Sequence, residues 1–152
     1  MKFHTVTVDF DECLTMPLRN GNIWESSEIP NTEFIDFLRK MHSDGIFERI
    51  IIVTSRKLNL VHEINEFIQR HDLDFVFAVK CTDGDWKAKM LNEVDSQLHF
   101  DDDVDEAQVA KHDGFTTILI PHPVDVLTNV DGINDFEHFN QFKNRILKDI
   151  ES

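Results

Sequence analysis

Four consecutive branched apolar residues, Ile50-Ile51-Ile52-Val53, constrain this chain more than any other stretch. Successive side chains of a strand point to opposite faces. A run without polar alternation is therefore buried on both sides, as in parallel sheets covered by helices above and below. The strand predicted here, Arg49 to Thr54, belongs inside such a sheet. Its neighbours in sequence keep the rhythm. Lys2 to Asp9, Phe75 to Val79, Leu98-His99-Phe100 and Phe115 to Ile120 read as further strands, separated by segments with helical spacing. Asn31 resembles an N-cap before Phe34, Phe37, Leu38 and Met41, and Gly45 closes that helix. Leu60, Val61, Ile64, Phe67 and Ile68 stripe a second helix, and Trp86, Met90, Leu91 and Val94 a short third. Val104, Ala107 and Ala110 mark a fourth, stopped by Gly114, and Phe136, Phe139, Ile146 and Ile150 a last one over Asp135 to Ile150. The polar stretch from Glu12 to Pro30, with Pro17 and an Asn20-Gly21-Asn22 turn signal, reads as a loop holding a small hairpin. The alternation predicts a doubly wound, Rossmann-like α/β fold of five parallel strands, with helices on both faces and one domain over residues 1–152.

Thirteen Phe and a hydrophobic content of 41% supply the core such a sheet needs, which argues against disorder. The net charge of -14 repels phosphate backbones, and no basic cluster offsets it, so long nucleic acid is not an expected partner. The longest apolar run, Ile50 to Val53, is far too short to span a bilayer, and the N-terminus lacks the apolar stretch of a signal peptide. Cys13 and Cys81 form neither a disulfide framework nor a zinc-ligand spacing, so the cytoplasm is the default compartment, and Cys13 is expected to be a small buried residue.

Every residue with unusual chemistry follows a predicted strand. Asp9-Phe10-Asp11 ends the first, Thr54-Ser55-Arg56 the second, and Asp101-Asp102-Asp103 the fourth, with Lys87 and Lys89 on the helix between. Ligands of open parallel sheets bind outside the carboxyl ends of the strands, so these groups are expected to share one small volume. Several carboxylates around one point repel each other and call for a cation or for work on a proton. Hard oxygen ligands without cysteine or histidine favour magnesium, which keeps water and accepts a substrate phosphate oxygen. A small phosphorylated ligand follows.

The order Asp9-Phe10-Asp11, Thr54, Lys87, Asp101-Asp102 resembles the four motifs of the haloacid dehalogenase superfamily of phosphatases, over about Phe3 to Ile120. The resemblance implies that Asp9 is the nucleophile and forms an aspartyl-phosphate. It makes Asp11 the acid for the leaving group and then the base for water. It assigns Thr54, with Ser55 and Arg56 beside it, and Lys87 to the phosphoryl group. The metal would fall to Asp9, the Asp11 backbone carbonyl and Asp102, with Asp101 direct or through a water. The second Asp implies hydrolysis of an alkyl ester rather than another transfer. The family usually places Gly-Thr after that residue, where this chain has Glu12-Cys13. Lys80 and Lys89 compete with Lys87, which precedes Asp101 by 14 residues, and Asp103 and Asp105 compete with Asp101 and Asp102. Thr54 follows Asp9 by 45 residues and Lys87 follows Thr54 by 33, both gaps filled by core elements, so the chain resembles a member without a cap domain.

In such an open site the loop from Leu14 to Pro30 is expected to set specificity. Trp24 is a base-stacking candidate there or, more simply, an aromatic anchor, and His122 is expected in a surface loop. The expected substrate is a nucleotide or another small phosphorylated metabolite. The alternatives are a phosphorylated macromolecule, or a relative that binds magnesium and phosphate without turnover. A response-regulator receiver groups similar residues, but its lysine comes last, and here no lysine lies between the fifth strand and Pro121.

Overall fold

The computed structural model describes residues 1–16 and 29–151, with the backbone of Leu18–Asn20 and Ile23–Glu25 between them. Six strands form one sheet: β1 (Phe3–Val8), β4 (Phe47–Thr54), β5 (Val76–Cys81), β6 (Leu98–Asp101), β7 (Thr117–Leu119) and β8 (Glu137–His138). Their order across the sheet is β5-β4-β1-β6-β7-β8, and every neighbouring pair is parallel. The expectation of five strands is corrected by β8. It is two residues long, Glu137-His138, and lies inside the segment expected to be wholly helical. A charged residue and a histidine carry no strand signal, and β8 exists because Ile118 and Leu119 of β7 offer it a free edge. The remaining strands, β2 (Leu18–Asn20) and β3 (Ile23–Glu25), pair antiparallel as the hairpin expected in the long loop. Pro17, the Gly21-Asn22 turn and the Trp24 side chain lie outside the described residues.

The run Ile50 to Val53 is split between two cores, as its unbroken hydrophobicity requires. Ile50 and Ile52 pack into the larger core, and Ile51 and Val53 into a second on the opposite face. Three helices cover the first face: α1 (Thr32–Ser43), α2 (Val61–Arg70) and α6 (Phe139–Glu151). Phenylalanine dominates there, with Phe139 edge-on to Phe34 and Phe37, each at 5.2 Å between ring centres. On the other face α3 (Ala88–Glu93) contributes Leu91 and α4 (Val104–His112) contributes Ala110. The helix α5 (Pro123–Leu127) follows β7.

The helix boundaries follow local chemistry. The Asn31 side chain accepts the Phe34 N–H at the start of α1, and Gly45, at φ 76°, takes the left-handed conformation that ends it. Asp103 starts α4 by accepting the Asp105 and Glu106 N–H groups, which leaves it pointing at backbone. Trp86, expected on the apolar side of α3, instead precedes the helix and is 55% exposed. Among the described residues no helix is long and apolar enough to cross a membrane.

The strand order places the site. From β1 the chain moves outward to β4 and β5, then returns to β6 on the other side of β1. Connections leave β1 and β6 in opposite directions, which opens a crevice above their carboxyl ends.

Candidate functional site

Asp9 stands at the end of β1 and Asp101 at the end of β6, so the crevice has a carboxylate on each lip. The Asp9 N–H donates to the Phe100 carbonyl at 3.0 Å, extending the pairing of the two strands by one residue and locking the relation between the two acids. Lys87, in the connection before α3, reaches between them. Its Nζ lies 3.0 Å from Asp9 Oδ1 and 2.9 Å from Asp101 Oδ2, and it is 3% exposed. Asp102 completes the group: ligand atoms of Asp9, Asp101 and Asp102 all lie within 4.8 Å of one another.

Period-two alternation along β6 puts His99 on the same face as Asp101, directly beneath it. His99 Nε2 is 2.8 Å from Asp101 Oδ2, and its Nδ1 is 2.8 Å from Thr7 Oγ1, which in turn sits 2.8 Å from Ser96 Oγ. Asp101 is ionised beside Lys87, so Nε2 carries the proton donated to it. Nδ1 then accepts from the Thr7 hydroxyl. Asp101 Oδ1 accepts the Asp103 N–H, and Asp9 Oδ1 accepts the Phe10 N–H. Both carboxylates are thus held in one orientation.

Three carboxylates against one ammonium leave two negative charges unmatched. The proton affinities register this. Burial opposes ionisation of Asp101, but Lys87 and His99 outweigh it and hold Asp101 well below the usual carboxylate range. Burial also works against the Lys87 ammonium, yet Asp101 and Asp9 keep it well above its ordinary value. Asp9 is raised, first by burial, with Lys87 pulling the other way. Asp102 carries the excess: burial, and then the Asp9 carboxylate, push it up to about 12. Both Asp9 and Asp102 are thus pushed toward their protonated forms. The unmatched charge equals that of one divalent ion, and the donors are all hard oxygens, so the residues fit magnesium.

No family model, curated protein or solved structure matches the chain.

The other residues singled out by sequence reach the same edge with different partners. Thr54 is buried at the end of β4, where its hydroxyl oxygen accepts the Arg56 backbone N–H at 3.2 Å. Ser55 is exposed. Asp11 does not join the three-carboxylate group. Its two oxygens are held by Arg56 Nε at 2.9 Å and Nη2 at 2.7 Å, while Arg56 Nη1 reaches Glu63 at 3.0 Å. Those contacts, the Asp11 hydrogen bonds first, raise Arg56 above its ordinary value. The competing lysines separate by position: Lys80 and Lys89 are exposed while Lys87 is buried. In the fourth acidic run, Asp101 and Asp102 face the crevice, Asp103 caps α4, and Asp105 is exposed.

Glu12, standing where the family resemblance expects Gly, has φ 58°, the left-handed conformation that glycine favours. Its N–H is held by Thr15 Oγ1 at 2.9 Å, which anchors the strained turn. Cys13 is fully buried, as expected, and burial pushes its thiol well up. His122 is not a surface histidine: it is 7% exposed, with Nε2 3.6 Å from Glu12 Oε2. The Pro121-His122-Pro123 sequence suggests an exposed loop, but that loop folds back over the turn after β1. Sequence reasoning did not pick out His99, Thr7 or Glu106, whose carboxylate accepts the Lys87 N–H at 3.1 Å. A histidine on the same face as an aspartate two residues later was the available signal for the first.

Proposed function

We propose that this chain is a magnesium-dependent phosphatase that hydrolyses a phosphomonoester through a phosphorylated Asp9, on a Rossmann-like domain of the capless haloacid dehalogenase type. A nucleotide or another small phosphorylated metabolite is its substrate, and the two free thiols fit a cytoplasmic setting. The observation that carries the reading is the buried Lys87 held between Asp9 and Asp101, with Asp102 alongside, at the carboxyl ends of the two central strands.

Asp9, Asp102 and Asp101 would hold the magnesium, together with the Asp11 backbone carbonyl. Bound there, it supplies positive charge to the phosphoryl oxygens and to the unmatched carboxylates. The Asp9 carboxylate attacks phosphorus, a new Oδ–P bond forms, and the ester P–O bond breaks. Lys87 favours the ionised form of Asp9 against its burial and lies within reach of the transferring group. Thr54 donates its hydroxyl proton to a phosphoryl oxygen. Asp11 gives a proton to the departing alkoxide and later takes one from the water that breaks the Asp9 ester, releasing inorganic phosphate.

Asp9→Asn retains the shape of the site and removes the nucleophile. Turnover of a panel of phosphorylated metabolites with magnesium should fall by at least a thousandfold in this variant. Full turnover by Asp9→Asn would refute the mechanism. The clamp of Arg56 on Asp11 favours a second reading, a protein that binds magnesium and phosphate without hydrolysis. It predicts stabilisation by magnesium and inorganic phosphate with no turnover in the unaltered protein.

A further inference from the structure

The buried polar groups beneath Asp101 take no part in the chemistry proposed above, yet they stand where a core would place apolar side chains. On the face of the sheet covered by α3 and α4, β4 presents Ile51 and Val53. One row across this face reads Ala78, Ile51, Thr7, His99, Thr117 from β5 to β7, so it turns from apolar to polar at the central strand. Thr7, His99 and Thr117 are all buried. Polar groups in such a place weaken a core unless each is partnered, and a partnered chain fixes a single geometry.

The polar half of the row is a line of contacts that ends at the site. Ser96 Oγ, Thr7 Oγ1, the His99 ring and Asp101 Oδ2 follow one another at 2.8 Å each. Asp101 Oδ2 then lies 2.9 Å from Lys87 Nζ, which lies 3.0 Å from Asp9 Oδ1. Two donors therefore converge on one oxygen of Asp101, the imidazole from beneath and the ammonium from the connection before α3. A carboxylate oxygen has two lone pairs, and here both are taken. The other oxygen accepts the Asp103 N–H at 3.1 Å. Lysine is a flexible stem with a rotatable head, so acceptors that do not move decide where its charge stands. Asp101 is such an acceptor while His99 and the Asp103 N–H keep it from turning.

We propose that His99 is a positioning residue: its Nε2–H fixes the Asp101 carboxylate and, through it, holds the Lys87 ammonium where it meets Asp9. This rests on the phosphatase reading given above. The test compares two amides. His99→Asn reaches only the Nδ1 position, so it keeps a partner for Thr7 and loses Asp101, whereas the amide nitrogen of His99→Gln reaches the Nε2 position. With p-nitrophenyl phosphate and magnesium, kcat should fall about 10- to 100-fold in His99→Asn at little-changed KM, the scale for losing a partner that orients a carboxylate, and largely recover in His99→Gln. A histidine that merely fills the core would lower the urea midpoint in both variants and leave kcat of the folded protein alone. A second readout needs no turnover. An ammonium held between two carboxylates exchanges its protons slowly, and its proton–nitrogen NMR signal is assigned by its loss in Lys87→Met. That signal should be present in the unaltered protein and in His99→Gln, and lost in His99→Asn. If His99→Asn does not fold, Thr7→Val carries the test: it keeps the shape of threonine, removes the hydroxyl at Nδ1, and should lower kcat about tenfold. Unchanged kcat in the variant that folds, an unchanged Lys87 signal in His99→Asn, or no recovery in His99→Gln overturns the inference and leaves the phosphatase reading intact. A Lys87 signal that follows the expected order, in a protein that hydrolyses no phosphate ester, upholds the role of His99 and overturns the phosphatase reading.

Discussion

Replacing Lys87 by Met tests the electrostatic core of the site without touching a carboxylate. Met matches the stem of lysine and fills the same buried space, so the change removes one charge and little volume. In the native protein that charge lies 3.0 Å from Asp9 and 2.9 Å from Asp101. At an effective dielectric constant near 20, each pair attracts by roughly 5 kcal/mol before desolvation is counted. Part of this is returned when the ammonium no longer has to be buried, and breaking a buried pair this way commonly costs about 3–5 kcal/mol. A second argument bounds the figure. An orphaned carboxylate can always take up a proton, and from a reference pKa near 3.9 that costs about 4 kcal/mol at pH 7 and about 1.5 kcal/mol at pH 5. Lys87→Met should therefore lose roughly 4 kcal/mol at pH 7, about 8–16 °C in melting temperature for a chain of this size. The loss should shrink to roughly 1.5 kcal/mol at pH 5. Urea unfolding in a chelator at the two pH values measures both. Adding Asp101→Asn to Lys87→Met should recover part of the loss, because one orphan is then gone. A loss below 1 kcal/mol at pH 7, or one that does not change with pH, would show that Lys87 does not balance these acids.

The unaltered protein carries its own pH signature. Burial holds both Asp9 and Asp102 above the usual carboxylate range, with the Asp101 carboxylate adding to it at Asp9 and the Asp9 carboxylate at Asp102, so the folded chain keeps a proton that the unfolded chain sheds near pH 4. Stability without metal should be fullest below that pH and fall as pH rises toward the value of about 12 for Asp102, by up to about 1.4 kcal/mol per pH unit. Asp102→Asn should flatten the curve, and urea midpoints from pH 5 to 9 in a chelator measure it. In the proposed reading magnesium would take the place of that proton, so the melting-temperature gain on adding it should grow with pH and be much smaller in Asp102→Asn. An equal gain in that variant would place the ion elsewhere. Arg56→Lys keeps a charge but loses the two-pronged grip on Asp11, and should lower kcat/KM by roughly tenfold or more in steady-state turnover, since a point charge cannot replace a planar fork.

The sheet was legible because burial on both faces leaves a one-dimensional trace. Ile50 to Val53 has no polar alternation, and it lies between two cores. Asn31, Gly45 and Gly114 were legible for a different reason, since caps and left-handed turns depend on local chemistry that the sequence states directly. What failed depends on contacts made far along the chain. Nothing in Glu137-His138 asks for a strand, and only the open edge of β7 makes one. His122 sits between prolines and looks like loop, yet a loop that folds back onto Glu12 buries it. The site divides the same way. That Asp9, Lys87 and Asp101 converge follows from strand order, which the alternation of elements anticipates. Which lysine is buried, and that Asp103 serves α4 while Asp102 faces the crevice, are matters of a single residue's rotation that spacing does not resolve.

The pairing of Asp11 with Arg56 bears on the order of events in the proposed reaction. An acid that must protonate a leaving group has to reach it, and both oxygens of Asp11 are engaged by the two prongs of the Arg56 guanidinium. Arg56 also lies two residues after Thr54, whose hydroxyl accepts the Arg56 backbone N–H. A phosphoryl group seated on Thr54 and Lys87 offers Arg56 a dianion in place of a monoanion, and moving toward it would release Asp11. Both oxygens of Asp11 would then be free to meet the leaving group. The same residue would thus supply charge to the phosphoryl oxygens and permit the acid to act, in one displacement set by substrate. On this account phosphate would open the Asp11–Arg56 pair in a phosphatase, whereas in a binder that never turns over it would leave the pair unchanged.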